Sequence, residues 1–307
     1  MKKIFIDGSA GTTGLRIRER LSDRKDIELI TLSDEMRKDV EARRDALNRS
    51  DVAFLCLPDD AARESVSLVE NENTVIIDTS TAHRTSDGWV YGFPEISSLR
   101  EKIKNSKRIA NPGCHASGFV ALVAPLTEKG IIPKDASLTC YSLTGYSGGG
   151  KKMIAEYESE NRSPLLSAPR QYALTQCHKH LPEMMKLAHL EKEPVFVPVV
   201  CDFYSGMQVS VGLNLKDFGA SKSDVEKIYS ELFTGPIVTF SKEPSESGFL
   251  SALELSKKDS MQISVLGCDE RVTLTARFDN LGKGASGAAI QNMNLILGCK
   301  ETLGLEL

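Results

Sequence analysis

The stretch KKIFIDGSAGTTGLRI, residues 2–17, constrains this chain more than any other. Apolar residues come first, glycines follow at 8, 11 and 14, and a helical pattern with Leu15, Ile17 and Leu21 starts at once. A strand that passes into a helix through such a turn brings backbone N–H groups and the positive end of the helix dipole together, which suits a pyrophosphate. Glycines there permit a tight turn and a close approach of backbone to ligand. The spacing is GxxGxxG rather than GxGxxG, so its position between strand one and helix one carries the argument. Gly8, Ser9, Ala10, Gly11, Thr12, Thr13 and Gly14 are the expected cofactor-binding loop.

The alternation continues. IELITLS, DVAFLCLP, TVIIDTS and RIANPG read as strands, with EMRKDVEARRDALNRS and DDAARESVSLVE as helices among them. DVAFLCLP is continuously apolar, as a strand covered on both faces requires. The pattern predicts an open parallel sheet in a Rossmann-type dinucleotide-binding domain. The second strand ends ITLSDEMRK. A hydroxyl at Ser33 with Arg37 and Lys38 a turn later suits a ribose 2′-phosphate, and so NADP(H), while Asp34 keeps NAD open.

Beyond about residue 135 the texture changes. GMQVSVGLNL and RVTLTARF place apolar residues at period two, the mark of antiparallel strands with one buried face. SKSDVEKIYSELFT carries the stripe of an amphipathic helix, and GASGAAIQNMNLILGCKETLG reads as a closing helix rich in small residues. The expected fold is α/β. It has a Rossmann-type domain over residues 1–114, completed by a C-terminal helix over 285–307. An α+β catalytic and dimerisation domain follows over 115–284, with a mainly antiparallel sheet.

Composition narrows the function. The 307 residues are enough for two domains, and 41% are hydrophobic. A net charge of −4 with no basic run gives no footing for nucleic acid. No stretch approaches the ~20 apolar residues of a membrane span. Seven cysteines, no CxxC pair and no secretory signal favour reduced thiols and a cytoplasmic setting.

One cysteine stands apart. In IANPGCHASG, Cys114 follows a glycine where a strand gives way to a helix. Such positions lower a thiol pKa from ~8.5 toward ~7 or below. A nucleophile of this kind needs a base. CHKHLPE concentrates His178 and His180 before Glu183, which could orient a ring as the third member of a triad. Cys177, His178 and His180 also resemble zinc ligands, but the spacing is poor and no second pair follows, so no metal is expected. Arg84 is a candidate cation for a phosphate. His83 beside it is expected to face solvent, and Cys56 and Cys140 to be packing.

GSAGTTG, NPGCHAS, TGYSGGGK, HKHLPE and DNLGKGASGAAIQNMNL occur in this order over essentially the whole chain. Together they resemble the short form of the N-acetyl-gamma-glutamyl-phosphate reductases of arginine biosynthesis, within the semialdehyde dehydrogenase superfamily. NPGC with HxHxPE argues against the related aspartate-semialdehyde dehydrogenases. The resemblance implies NADPH-dependent reduction of N-acetyl-glutamyl 5-phosphate to the 5-semialdehyde, through a cysteine thioester, with release of phosphate. It places the nucleophile on Cys114 and the acid–base on His180, with His178 second and Glu183 as the orienting carboxylate. It puts Ser147 and Gly148 in a loop near substrate and nicotinamide. It puts Asn280, Lys283, Gly284 and Gly287 in a cofactor-side loop. Asn111, in the turn before the cysteine, is grouped with Arg84 and His178 toward substrate and phosphate. Many members carry tyrosine after the cysteine; His115 departs from that pattern and receives no role. The implied partners are a small acyl phosphate, inorganic phosphate and further copies of the chain, as dimer or tetramer. Two other readings stand beside this one: the same chemistry on aspartyl or aminoadipyl phosphate, and a non-catalytic NADP-binding regulator. Cys114 and the histidine pair together argue against the regulator.

Overall fold

The computed structural model describes residues 1–307. The chain divides into two units. The first comprises Met1–Pro94, Ser98–Pro112 and Ala285–Leu305; the second comprises Glu95–Ser97, Gly113–Gly284 and Glu306–Leu307.

The first unit opens as β1 (Lys2–Asp7), α1 (Thr12–Ser22), β2 (Ile27–Ile30), α2 (Val40–Arg49), β3 (Val52–Leu55), α3 (Asp59–Ser67) and β4 (Val75–Asp78). It continues as β5 (Val90–Tyr91), α4 (Leu99–Lys104) and β6 (Arg108–Ala110). All six strands are parallel, in the order β2-β1-β3-β4-β6-β5. Strand order runs outward in both directions from β1, so the end of β1 is the switch point where such sheets bind ligands. Successive side chains of a strand face opposite ways. Ile4, Ile6, Phe54 and Ile77 accordingly pack with Ile17 and Leu21 of α1. Phe5, Ala53, Leu55 and Ile76 pack on the other side with Leu47 of α2 and Ala62 of α3. Every residue of β3 and β4 is buried, which is why their sequences do not alternate. The two-residue β5 is too short to leave a pattern in the sequence.

The second unit runs α5 (Cys114–Glu128), β7 (Thr139–Gly145), α6 (Gly150–Tyr157), β8 (Arg170–Gln171), α7 (Leu181–Leu187), β9 (Val195–Cys201) and β10 (Met207–Asn214). α8 (Lys222–Leu232), β11 (Val238–Phe240), β12 (Met261–Gly267) and β13 (Arg271–Phe278) follow. Its sheet has the order β11-β12-β13-β10-β7-β9-β8. The sheet is mixed: β7–β9 and β11–β12 are parallel, and the other four pairings are antiparallel. Parallel neighbours require a crossover, and α6, β8 and α7 lie between β7 and β9 in the chain. The signal was a run of four buried residues closing β9, beside the strict alternation of β10. α5 is buried from His115 to Thr127. It lies so close to the sheet that a Cβ on Gly118 would stand 2.5 Å from Val209 Cγ2. α8 begins with a capping box formed by Ser221 and Asp224.

The chain then returns to the first unit as α9 (Gly287–Ile296), where Ala289, Ile290 and Met293 complete the core around β1 and β4. No helix is long and apolar enough to cross a membrane.

Candidate active site

The glycine loop leaves β1 at Asp7. Gly8 has φ +84°, and a Cβ there would run into the carbonyl oxygen of Cys56. Gly11 is the N-cap of α1, and Thr12, Thr13 and Gly14 form its first turn, with no side chain capping the end. The backbone of the loop is thus open to an anion. Beside it lies a cavity of about 780 Å³, lined by Gly8, Ser9 and Ala10, the end of β2 through Ser33, and the cations Arg18, Arg37, Lys38 and Arg43. Ser33 donates to Glu35 at 2.9 Å, and Arg37 pairs with Asp34 at 3.2 Å. Both pairs are exposed, so they are weak and exchangeable. Arg43 is buried and held by Asp7 at 3.1 Å and Glu64 at 2.8 Å. A helix N-terminus without a side-chain cap, beside a cavity with a hydroxyl and several cations, fits a phosphorylated dinucleotide.

Two further predicted residues meet in the same unit. Arg84 donates from Nε to the carbonyl of Asn111 at 3.0 Å and from Nη2 to that of Thr79 at 3.0 Å. It therefore braces the turn that leads to Cys114. Asn111 donates to the Ala285 carbonyl at 2.9 Å. His83 corrects its solvent-facing expectation: it is buried, stacked on Trp89 at 4.0 Å, with Nδ1 2.6 Å from Asp78 Oδ2.

In the second unit, Gly113 is the N-cap of α5 and Cys114 its first residue. The Gly113 N–H donates to Glu183 Oε1 at 2.8 Å, so α7 grips the turn before the cysteine. Glu183 is buried and acts on the backbone here. His178 and His180 lie in the loop entering α7, with ring centroids 4.8 Å apart. The His180 N–H donates to His178 Nδ1 at 3.2 Å. His180 is buried and His178 half-buried. The loop is pinned by Gln176, whose amide makes two 2.8 Å hydrogen bonds with the backbone of Phe196 on β9. Ala173 and Gln176 both have positive φ, a conformation that non-glycine residues keep where packing imposes it.

His115, given no role on sequence grounds, lies inside this cluster. Its ring is 5.9 Å from His178 and 5.6 Å from His180. Nδ1 meets Ser142 Oγ at 2.7 Å and Nε2 meets the Tyr172 hydroxyl at 2.6 Å. Burial and the nearby His178 push its pKa down to about 3. Tyr172 is raised, by burial first and the charge of Cys114 second. Nothing short of the fold signalled Tyr172: it stands in an irregular segment, six residues before the histidine pair.

The remaining predicted residues also converge. Asn280 donates to Ser147 Oγ at 3.0 Å and accepts from the Gly206 N–H at 3.0 Å, with Gly148 adjacent. Asp279 accepts from Ser205 Oγ and from the N–H groups of Leu281 and Gly282, which sets the bend after β13. Lys283 is buried against Glu95 at 2.8 Å. Gly284 passes so near Cys114 that a Cβ there would lie 3.0 Å from the Cys114 Cβ. Cys140 is a buried thiol and Cys56 a half-buried one; burial raises Cys56 to about 12 and Cys140 higher still. No three His, Cys, Asp or Glu side chains are grouped to hold a metal ion.

Residues 3–106 match a family model described as the NAD binding domain of semialdehyde dehydrogenase, and residues 114–280 match its dimerisation domain. The chain is 45% identical to N-acetyl-gamma-glutamyl-phosphate reductase 2 of Nostoc sp. over 319 residues, covering 99% of each. It is also 45% identical to the N-acetyl-gamma-glutamyl-phosphate reductase of Brucella ovis, covering 96% of this chain and 99% of the relative. Among solved structures it matches aspartate semialdehyde dehydrogenase II of Vibrio cholerae, complexed with ASA, with a TM-score of 0.71 at 14% identity. That match covers 97% of this chain and 98% of the other. It matches aspartate semialdehyde dehydrogenase of Candida albicans with NADP at a TM-score of 0.67 and 17% identity, covering 99% of each. At these identities the structural likeness speaks for the fold.

Proposed function

The chain belongs to the N-acetyl-gamma-glutamyl-phosphate reductases of the semialdehyde dehydrogenase family, and from that premise we propose which residues carry the reaction. The reaction reduces N-acetyl-gamma-glutamyl phosphate to the semialdehyde with NADP(H), a step of arginine biosynthesis. The observation that carries the residue assignment is Cys114 at the first position of a buried helix, with His178 and His180 ringed about its neighbour His115.

In the first step Cys114 thiolate attacks the acyl-phosphate carbonyl, and the N–H groups opening α5 stabilise the oxyanion. Such donors are each worth ~10²–10³ in rate. The carbon–oxygen bond to phosphate breaks, phosphate departs with the electron pair, and a thioester remains on Cys114. NADPH, when bound, supplies the hydride that reduces this thioester. His180 shares its proton with the resulting alkoxide. It recovers the proton as the carbonyl reforms, the carbon–sulfur bond breaks and thiolate is restored. Acid–base assistance of this kind is worth ~10²–10⁴-fold. Glu183 holds the Gly113 N–H, and Arg84 with Asn111 sets the turn that precedes it. Ser147 and Gly148 serve substrate and nicotinamide, and Asn280 and Gly284 the cofactor, with Gly284 passing beside Cys114.

The first unit serves as the cofactor domain, with Ser33 and Arg37 toward the 2′-phosphate. The second serves as the catalytic and oligomerisation domain. Tyr141 on β7 and Val195 on β9 are exposed on one face of its sheet, and this face is the contact with a second copy. Sedimentation should give a dimer or tetramer that Tyr141→Glu weakens; a wild-type monomer overturns that contact.

Phosphate-dependent NADP⁺ reduction tests the substrate. N-acetylglutamate semialdehyde should support it, whereas aspartate semialdehyde should not. The reverse pattern would move this chain to aspartyl phosphate.

A further inference from the structure

The segment SDEMRK, residues 33–38, lies between β2 and α2 and carries two acids and two cations, so its charges cancel. Its backbone is a tight helical turn. The N–H groups of Met36 and Arg37 donate to the Ser33 carbonyl at 3.1 and 3.0 Å, and Met36–Lys38 close as a 3₁₀ turn. Ser33, Arg37 and Lys38 line the cavity beside the glycine loop, whereas Asp34 and Glu35 do not. Each acid nonetheless holds one of the lining groups. Glu35 Oε2 accepts from Ser33 Oγ at 2.9 Å, and Asp34 Oδ1 pairs with Arg37 Nη1 at 3.2 Å. The hydroxyl and the guanidinium that suit a phosphate are thus already engaged by carboxylates of their own turn. Arg43, the buried cation of the same cavity, differs, because Asp7 on β1 and Glu64 on α3 hold it from other elements of the fold.

A carboxylate and a phosphate compete for the same donors, since both are anionic oxygen acceptors. A 2′-phosphate that takes Ser33 and Arg37 must displace both carboxylates. They then stand as like charges on the same short turn. A ribose 2′-hydroxyl is neutral and can itself donate to a carboxylate, so NADH meets neither cost.

We propose that Asp34 and Glu35 are specificity-determining residues. In the free enzyme they occupy Arg37 and Ser33, and they thereby weaken NADPH binding selectively and narrow its margin over NADH. The inference rests on Ser33 and Arg37 facing the 2′-phosphate.

The test is titration of the enzyme with NADPH and with NADH, followed by the fluorescence of the reduced nicotinamide. Asp34→Asn and Glu35→Gln keep the size of each side chain and remove its charge. Each should lower the Kd for NADPH about threefold, the worth of an exposed ion pair, and the double variant about tenfold. The Kd for NADH should fall in none of them. The gain should shrink as added salt screens these exposed charges, and a gain indifferent to salt would contradict competition between charges. Arg37→Ala, titrated alongside, should weaken NADPH. If it does, and the double variant with a wild-type circular dichroism spectrum binds NADPH no tighter, the role of the two acids is overturned alone. Equal tightening of NADPH and NADH overturns it too, because the acids would then act on the whole dinucleotide. An unchanged Kd for NADPH in Arg37→Ala overturns the 2′-phosphate assignment and the inference with it.

Discussion

Ser33 and Arg37 stand at an open cavity and pair with Glu35 and Asp34, neighbours two and three residues away in the chain. His115 is buried and pairs with Ser142 and Tyr172, 27 and 57 residues away. The Ser33 and Arg37 side of the cofactor cavity is thus made of local, solvated, replaceable contacts, and the cysteine–histidine cluster of distant, buried ones. Exposed ion pairs contribute little and are screened by salt. Buried polar networks carry a full desolvation cost whenever one partner is lost. Damage in the first region should therefore change cofactor affinity by modest factors, whereas damage in the second should strike rate or stability.

The largest contrast is expected from Cys114→Ala. Turnover should vanish, while NADPH titrated against the variant gives the wild-type Kd by fluorescence. Measurable turnover would remove the division of labour between the two regions. Gly8→Ala is the exception that sharpens the comparison, because it is a packed position within the open region. Its positive φ and the Cys56 carbonyl leave no room for a methyl group, so stability should fall by more than ~1 kcal/mol, with NADPH binding impaired. A urea midpoint equal to wild type would show that the loop can move.

The pH response of His115 follows from its depressed pKa. Between its native value of about 3 and the unfolded value of ~6.5, the unfolded chain binds a proton that the native state refuses. Stability therefore falls as pH drops below ~6.5, by up to ~1.4 kcal/mol per unit from this group, and levels off near the native value. His115→Gln should show a shallower acid slope than wild type in urea unfolding at several pH values; identical slopes would contradict a neutral buried imidazole. The smallest effect belongs to the cavity. Arg37→Ala should raise the KM for NADPH about tenfold, the worth of one charge-assisted hydrogen bond, and leave the KM for NADH unchanged. Equal changes for both would detach Arg37 from the 2′-phosphate.

The same contrast decides what could be read from the sequence. The glycine loop, the cation pair after β2 and the parallel strands are local patterns, written in consecutive residues. Cys114 was legible because Asn-Pro-Gly marks the turn that exposes it, and His178 and His180 because they stand side by side. Tyr172 and Ser142 were not, since only the pairing of β7 with β9 and the pinned 172–180 loop bring them to His115. His83 misled for a related reason: a histidine beside an arginine reads as surface until Asp78 and Trp89 close around it. The parallel pairing of β9 with β7 was not legible because β9 offers a buried apolar run rather than a period.

The central claim, a thioester on Cys114, is most directly tested by running the reaction backwards without phosphate. Enzyme mixed with N-acetylglutamate semialdehyde and NADP⁺ should release a burst of NADPH equal to the concentration of active sites and then stop. Mass spectrometry should find the N-acetylglutamyl group on the peptide carrying Cys114, and added phosphate should restart turnover. No burst, or an acyl group on any other residue, would contradict the account.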